Sequence, residues 1–578
     1  MKKHIISLLL ILFASVTAIA EITYDKKLEK KADKGDAVAQ CNLGYCYYKG
    51  LGIAQDYNKA VEWYLKAAEQ DLADAQYNLG VCYEKGNGVQ KDYNKAVEWY
   101  LKAAEQDHAN AQYNLGICYE KLQDHNNAIK WFHKVAEKGD VQIQNNLGAC
   151  YEEIQDYNQA IECYQKAAEQ GYIKAQSNLA RCYYNGLGVT QDYSQAVYWY
   201  NKAAEQGDTQ AQNILAECYF KGQGTTKDYS QAVYWFIKVA ENGDATAQYN
   251  LGVCYEEAQD FTHAAEWYEK AAEQGNVLAQ STLGSYYKKG QGVTKDYEKA
   301  VKWLNNAAKQ GDTDAQFNLG TCYYNGFGVA EDPVQAVMWY SKAAEKGHIM
   351  AQNSLASCYE NGEGVSKDYN KAVEWYQKSA EQGNALAQYS LGLFYDEGQG
   401  VTQDYNKAAH WYRKAAEQGN ALAQYNLGTY YDKGQGVAKD PAQAAFWYNK
   451  AAEQGHNMAQ YYLGTCYYYG DGISKDYEQA VYWYRKAAEN NSSFAQYSLG
   501  ICYDNGEGVK KDDKQAAYWY RKAAEQNHVE AQYNLGVCYE NGQGVEKDKQ
   551  QAIKWYQKAA MRGDKDSQKA LTRLGENW

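Results

Sequence analysis

Proline is almost missing from this chain, with two in 578 residues. There is also no proline-rich or serine-rich stretch and no block of like charge, which excludes a flexible linker between separate domains. Both prolines, Pro333 and Pro441, directly follow an aspartate. This is typical of the first position of a helix, where the missing backbone N–H costs nothing.

Motifs that carry chemistry are also missing. The fourteen cysteines and nine histidines form no Cys-x-x-Cys and no His-x-x-x-His, so we expect no metal site. The Gly-x-Gly segments lack a third glycine and a Gly-Lys-Ser/Thr, which makes them turns and not phosphate-binding loops. One Ser-x-x-Lys occurs, at Ser285–Lys288, without the Ser-Asp-Asn and Lys-Thr-Gly motifs of β-lactam-reactive enzymes. The sequence therefore predicts no catalytic site, no metal and no cofactor.

Basic charge is in deficit, since the formal net charge is −13. Without a basic stripe, the sequence argues against nucleic acid as a partner. The longest apolar run, residues 5–13, is shorter than the about 20 residues that span a bilayer. Together with Lys2, Lys3 and the small residues at 18–20, it predicts a cleaved signal peptide over residues 1–20. We expect an exported protein, periplasmic or secreted; an uncleaved anchor is the alternative.

What the chain has in abundance is repetition. An Ala-Gln pair recurs in steps of 36 or 32 residues, beginning at residues 39, 75, 111, 175, 211, 247, 279, 315, 351, 387, 423, 459, 495 and 531, and Ile143-Gln144 fills the one gap. A fixed period in this range is the signature of a solenoid. The sequence thus predicts about fifteen copies of one small module.

Each copy predicts two helices. In residues 75–110 the residues Leu79, Cys82 and Tyr83 form one apolar stripe, and a second stripe follows Asp92, the expected N-cap of the second helix. Gly80 lies inside the first helix, where glycine costs roughly 1 kcal/mol against alanine. Because twelve copies have glycine there and three have alanine, we expect the second helix to cross too closely for a larger side chain.

The pattern A-x-x-x-L-G-x-x-Y-x-x-G-x-G-V-x-x-D-x-x-x-A-x-x-W-Y-x-K-A-A-E-x-G resembles the Sel1-like repeat, a relative of the tetratricopeptide repeat. The resemblance covers residues 36–562 and implies an all-α solenoid, a right-handed superhelix of helix-turn-helix repeats. Residues 21–35 are expected to form an N-terminal cap half-repeat and residues 563–578 a C-terminal capping helix, both polar. The three copies of 32 residues, which begin at Ala111, Ile143 and Ala247, resemble the tetratricopeptide version.

Twelve of the cysteines share one repeat position. Equivalent atoms on stacked helices lie about 8–10 Å apart, beyond the Cα separation of about 7 Å that a disulfide spans. We therefore expect buried free thiols. The one candidate disulfide joins Cys150 to Cys163, because Cys163 replaces the usual tryptophan on the facing helix.

The resemblance also implies that the first helices line a concave surface, where related arrays use an asparagine ladder to hold extended peptides. An amide offers a donor and an acceptor to any peptide backbone. The predicted partner-binding residues are Asn42, Asn78, Asn114, Asn146, Asn178, Asn250, Asn318, Asn426 and Asn534, with Tyr77, Tyr113, Tyr249, Tyr389, Tyr425, Tyr461, Tyr497 and Tyr533. The alternative is that the asparagines are solvated and that the tyrosines pack between neighbouring copies.

Nine copies have an acidic residue four positions after the helix glycine: Glu84, Glu120, Glu152, Glu256, Glu360, Asp396, Asp432, Asp504 and Glu540. Acids near a helix C-terminus oppose the macrodipole, so their recurrence suggests a preference for basic or neutral partners, or simple solubility. The sequence as a whole predicts a non-enzymatic scaffold that binds proteins or extended peptides. One alternative is an envelope protein, either an enzyme or a glycan binder, that acts on peptidoglycan or β-lactams. Another is a structural spacer.

Overall fold

The computed structural model describes residues 22–136 and 139–576 of the chain, and the predicted signal peptide lies outside these residues. In the described part the structure is all-helical, with 32 helices and no strand. They are, in order, α1 Lys26–Asp33, α2 Ala37–Lys49, α3 Tyr57–Ala68, α4 Ala73–Lys85, α5 Tyr93–Glu105, α6 Ala109–Lys121, α7 His125–Ala136, α8 Val141–Glu153, α9 Tyr157–Glu169, α10 Ile173–Asn185, α11 Tyr193–Glu205, α12 Thr209–Lys221, α13 Tyr229–Ala240, α14 Ala245–Glu257, α15 Phe261–Glu273, α16 Val277–Lys289, α17 Tyr297–Lys309, α18 Thr313–Asn325, α19 Pro333–Glu345, α20 Ile349–Asn361, α21 Tyr369–Glu381, α22 Ala385–Glu397, α23 Tyr405–Glu417, α24 Ala421–Lys433, α25 Pro441–Glu453, α26 Asn457–Tyr469, α27 Tyr477–Glu489, α28 Ser493–Asn505, α29 Asp513–Glu525, α30 Val529–Asn541, α31 Lys549–Ala560 and α32 Lys565–Arg573.

The helices α2–α31 form fifteen pairs, numbered here as repeats 1–15 in chain order, and each pair has a first and a second helix. The prediction of paired helices is confirmed. The helices α1 and α32 lie in the segments predicted as caps. The chain divides after Asn276 into two compact units, the first with repeats 1–7 and the second with repeats 8–15.

The start of every second helix is determined by one aspartate. Asp92 accepts hydrogen bonds from the backbone N–H groups of Asn94 and Lys95, at 2.9 and 3.1 Å. The equivalent aspartate caps each of the fifteen second helices. Pro333 and Pro441 begin α19 and α25 directly after it. The sequence prediction of these helix starts is confirmed.

The core lies between the two helices of each repeat and between neighbouring repeats. In repeat 2 it contains Ala75, Leu79 and Cys82 of the first helix and Tyr100 of the second, all fully buried. Gly80 faces the ring of Tyr100, and a Cβ atom built on it would lie 2.6 Å from Tyr100 Cδ1. The close crossing predicted from the recurring glycine is therefore confirmed.

A buried glutamine joins most repeats to the one before them. Gln388 donates from Nε2 to the carbonyl of Ala380, at the end of the preceding second helix, at 3.0 Å. Its Oε1 accepts from Gln418 Nε2, at the end of its own repeat's second helix, at 2.7 Å. The same bonds recur around Gln76, Gln352 and Gln424. The carbonyl of Ala380 also accepts from the backbone N–H of Gly383 at 3.0 Å, so this glutamine relay adds a side-chain bond that ties the helix end to the next repeat.

The three short copies end their first helices without a glycine. Gln123, Gln155 and Gln259 adopt positive φ angles of 61–62° immediately before the aspartate of the second helix. A single left-handed residue thus replaces the Gly-x-Gly-Val loop, which explains how four residues can be absent without loss of the helix pair.

Candidate functional site

All seventeen predicted partner-binding residues lie on the first helices and are half-buried. They are neither fully buried in the core nor fully exposed to solvent. Their contacts within the protein therefore determine which of their polar and aromatic groups remain available to a partner.

The tyrosines of this set pack within and between repeats. The ring of Tyr425 lies 6.1 Å from that of Tyr448 on the second helix of its own repeat. It stacks at 4.6 Å on His456, which begins the next first helix. Tyr77 and Tyr497 make the equivalent pairs of contacts, with His108 and His528 as the stacked imidazoles. Packing between neighbouring copies, the alternative to partner binding, is what these rings do in the structure.

Several asparagines of the set are already engaged inside the protein. Asn114 donates to the hydroxyl of Tyr100 at 3.1 Å, and Asn178 donates to Asn145 at 3.1 Å. Asn78 approaches Cys41 Sγ at 3.7 Å. Because each amide has two donors and an acceptor with two lone pairs, one internal bond leaves capacity for a peptide backbone.

The recurring acids have a structural role that the sequence analysis missed. Glu84 Oε2 accepts a hydrogen bond of 2.5 Å from the hydroxyl of Tyr100, the ring that covers Gly80. The same bond joins Tyr376 to Glu360 at 2.6 Å and Tyr556 to Glu540 at 2.7 Å. A buried hydroxyl without a partner would be costly, so these acids complete the core. This bond accounts for the acids in these copies, whereas Glu120 lies opposite Phe132, which has no hydroxyl.

Burial raises the pKa of Tyr100 well above its ordinary value, and the bond to Glu84 raises it further. The hydroxyl therefore stays protonated and donates. In repeat 9, where the acidic position is Tyr324, a threonine at another position takes the bond: Tyr340 donates to Thr321 at 3.4 Å, and burial raises its pKa to about 12. In repeat 6 the buried ring is Phe236 and the acidic position is Phe220. Repeat 3, however, keeps Glu120 although its buried ring is Phe132, so the sequence alone does not reveal the contact.

Four first helices have tyrosine at the acidic position, and these reach into the next repeat. The hydroxyl of Tyr468 donates to Glu507 at 2.6 Å, and that of Tyr184 donates to Gln223 at 3.2 Å. Tyr48 accepts from Asn87 at 2.9 Å. In each case the partner follows the first loop glycine of the next repeat, so these bonds hold the loops in place.

The cysteines are free and buried, as the repeat spacing predicts. Cys150 and Cys163 belong to one core cluster with Phe132 and Leu147, but no bridge joins them. The proposed disulfide is therefore absent from the structure, where both thiols act as small apolar side chains. Burial raises the pKa of Cys150 to about 12 and that of Cys163 to about 11.

The remaining motif, Ser285–Lys288, has a local explanation. Lys288 Nζ donates to Asn318 Oδ1 of the next repeat at 2.7 Å, and burial lowers its pKa below the ordinary value of 10.5. Among the described residues, no three His, Cys, Asp or Glu side chains are placed to hold a metal ion. No helix in residues 22–136 and 139–576 is long and apolar enough to cross a membrane.

The paired helices, the buried relay between repeats and the recurring half-buried face define an α-helical repeat protein. The chain belongs to the Sel1 repeat family. The family model, described as Sel1 repeat, matches residues 37–72, 73–108, 109–140, 173–208, 209–244, 245–276, 277–312, 313–348, 349–384, 385–420, 421–456, 457–492, 493–528 and 529–564. Residues 141–170 match the tetratricopeptide repeat model. Of the three short copies, one is therefore closer to the tetratricopeptide form and two remain Sel1 repeats.

One solved structure of similar fold agrees with this assignment. The chain is 35% identical to c5321, described as a protective antigen present in uropathogenic Escherichia coli strains displaying an SLR fold, over 89% of this chain and 90% of that chain, with a TM-score of 0.51. It is also 35% identical to a Sel1 repeat protein from Oxalobacter formigenes, over 54% of this chain and 89% of that chain, with a TM-score of 0.42. A search of curated proteins gives no match.

Proposed function

We propose that this chain is a non-catalytic adaptor that binds segments of other proteins on the face formed by its first helices. Sel1 and tetratricopeptide repeat proteins are generally protein-interaction scaffolds, and the fold is typically non-enzymatic. The observation that carries the proposal is the recurrence of half-buried asparagines at one position of the first helices. Stacked helices about 10 Å apart present such amides about once per three residues of an extended chain.

The test is the replacement of Asn78, Asn114 and Asn146 together by alanine, followed by crosslinking in the native envelope and mass spectrometry. We expect partner capture to fall while the melting temperature changes little. The matched control replaces Asn58, Asn94 and Asn126, which are exposed on second helices, and should leave capture intact. Equal capture by both triple variants would argue against the ladder. Turnover of nitrocefin by the pure protein would argue for an enzyme.

We further propose that the chain is exported through a signal peptide at residues 1–20. The support is the sequence pattern alone: Lys2 and Lys3, a short apolar run and small residues at 18–20. Mass spectrometry of the protein isolated from its own cells should give Glu21 as the first residue. A mature chain that begins at Met1 would contradict the proposal.

A further inference from the structure

One position of the first helices has apolar side chains in five consecutive repeats, of which four are exposed and one, Met458, is half-buried. It is the second residue of each first helix, and in repeats 10–14 it is Met350, Leu386, Leu422, Met458 and Phe494. The exposed fractions of Met350, Leu386, Leu422 and Phe494 are 43, 54, 48 and 51%. These five residues are called the apolar row below.

The apolar row is a local feature and not a property of the repeat. The equivalent residues of repeats 9 and 15 are Asp314 and Glu530, and those of repeats 2–7 are Asp74, Asn110, Gln142, Lys174, Gln210 and Thr246. Repeats 1 and 8 have the isolated apolar residues Val38 and Leu278 at this position. Single exposed apolar residues are normal on protein surfaces, but a contiguous series indicates an interaction site. The array therefore carries one distinct segment, repeats 10–14, within its second compact unit.

The opposite ends of four of these five helices are acidic. The first helices of repeats 10–14 contain Glu360, Asp396, Glu397, Asp432 and Asp504, and their only basic residue is Lys433. These acids lie ten or eleven positions after the apolar row, which is roughly 15 Å along a helix. A hydrogen bond from Tyr376 holds Glu360 in place. The face thus has an apolar edge and an acidic edge.

Between the two edges lie predicted partner-binding residues, among them Tyr425, Asn426 and Tyr461. Neighbouring repeats are in direct contact along the row, since the ring of Phe494 lies 5.8 Å from Tyr461 of repeat 13 and 5.3 Å from His528 of repeat 15. A chain that crosses the helices over this middle strip meets one apolar contact in each repeat and an acidic contact in four of the five, since repeat 13 has Tyr468 at the acidic position.

The distance between neighbouring first helices favours one backbone conformation for the bound chain. Stacked helices are about 8–10 Å apart. A polyproline II helix has three residues per turn and rises about 9 Å per turn, so every third side chain points the same way. One residue of each triplet then faces the apolar row, the next faces the acids, and the third faces solvent. A β-strand, with its period of two residues, does not match this spacing.

We propose that repeats 10–14 bind a polypeptide segment in the polyproline II conformation, with an apolar side chain at every third position and a basic side chain beside it. This inference rests on the adaptor function proposed above. It adds where the partner binds and which side chains the bound segment has. The excess of acids on these five helices favours a basic segment through charge complementarity.

The test uses the full chain and synthetic peptides with a fluorescent label, measured by anisotropy. The probe consists of five Leu-Lys-Pro triplets, in which proline favours the polyproline II conformation. Peptides of five Leu-Glu-Pro or five Ser-Lys-Pro triplets reverse the charge or remove the apolar contact. We expect the first peptide to bind and the other two to bind more than about tenfold more weakly, and added salt to weaken binding.

The protein variant is Leu386→Ser with Leu422→Ser, and its matched control is Val38→Ser with Leu278→Ser. The control residues occupy the same helix position and are 57 and 52% exposed, but they lie outside the row. We expect the first variant to bind the Leu-Lys-Pro peptide more than about tenfold more weakly and the control to bind like the parent. All four side chains are exposed, so melting temperatures should not change.

Equal binding by both variants, or no binding of the Leu-Lys-Pro peptide, would overturn the inference. Native partners that still crosslink in that case would leave the adaptor function standing. Binding to phosphatidylcholine vesicles that depends on Leu386 and Leu422 would assign the row to a lipid surface instead. A dimer in sedimentation that the Leu386→Ser, Leu422→Ser variant abolishes would assign it to a second copy of this chain.

Discussion

At the scale of single residues, the buried tyrosine found in most second helices constrains two positions of the first helix. In repeat 12 the ring of Tyr448 covers Gly428, and a Cβ atom there would lie 2.8 Å from the ring carbons Cδ1 and Cε1. In repeat 2 the hydroxyl of Tyr100 requires an acceptor and finds Glu84. The first-helix residue under the ring must therefore be small, and the residue beside the hydroxyl must be able to accept a hydrogen bond.

We expect Gly428→Val to destabilise the protein by about 1–3 kcal/mol, because the branched side chain would overlap the Tyr448 ring. Hydrogen exchange of α24 and α25, with the urea midpoint, measures the loss. Gly428→Ala is the control and should cost less, since Ala180, Ala216 and Ala356 occupy the same position elsewhere. An unchanged midpoint in the valine variant would contradict the close crossing.

The Tyr100–Glu84 bond gives a second prediction. Either Glu84→Ala or Tyr100→Phe leaves a buried or half-buried polar group without its partner, which costs roughly 1–3 kcal/mol. The double variant should lose less than the sum of the two, because no orphaned group remains of this pair. Urea unfolding of the four proteins gives the coupling energy. Strict additivity would mean that the bond does not contribute to stability.

The two contacts differ in how far the sequence predicted them. A mid-helix glycine is costly, so its recurrence at Gly80 and Gly428 pointed directly to a close approach. An acid such as Glu84 is unremarkable on a helix surface, and its partner is sixteen residues away on another helix. Periodicity identifies the helix face of each residue, but it does not pair particular atoms across faces.

At the scale of helices, the N-cap residues determine where each element begins. Aspartate caps the second helices, but several first helices use other residues: His456 accepts from the backbone N–H of Ala459 at 3.2 Å through Nδ1, where Asn384 and Asn420 use their side-chain oxygens. An imidazole can accept only when neutral. The histidine caps are therefore sensitive to protonation.

Burial lowers the pKa of His456 and of His528 below the ordinary 6.5. A depressed pKa in the folded state means that stability is complete above about pH 6.5 and falls as the pH drops through that value toward the folded pKa. We expect His456→Asn with His528→Asn to lose less stability on acidification than the parent. Melting temperatures at about pH 7.5 and 5 measure this, and identical changes in both proteins would contradict it.

The helices were the best-predicted level of the structure. In all fifteen aligned copies, Asp92 or its equivalent predicted the start of the second helix, so the prediction rested on fifteen observations of the same pattern. The buried relay of Gln388 and Gln418 was missed, although glutamine follows alanine in nearly every copy. A buried glutamine is recognisable only when its partners are known, and these lie at the ends of two different helices.

At the scale of the whole molecule, fourteen free thiols are distributed through the core. Burial raises the pKa of Cys82, Cys118 and Cys254 to about 12, and only the thiolate reacts. We expect iodoacetamide to label the native protein slowly at mildly alkaline pH. In denaturant without a reductant, intact mass should show all fourteen labelled. A shortfall of two would restore the Cys150–Cys163 bridge.

The number of repeats and the boundaries of the array follow from the sequence, but the segment that meets a partner does not. The asparagine and tyrosine positions recur along the array and so point to no particular repeat. The apolar row became visible only when the exposure of Leu386 and Leu422 was known, because leucine at a helix start is otherwise read as core.

The glutamine relay makes the junctions between full-length copies chemically alike. Gln388 and Gln424 bond in the same way to the ends of the helices before them, so the surface that closes one copy fits the surface that opens another. Excision or duplication of 36 residues would recreate a boundary that the protein already possesses. The gene can therefore gain or lose modules by unequal recombination without a new fit having to evolve.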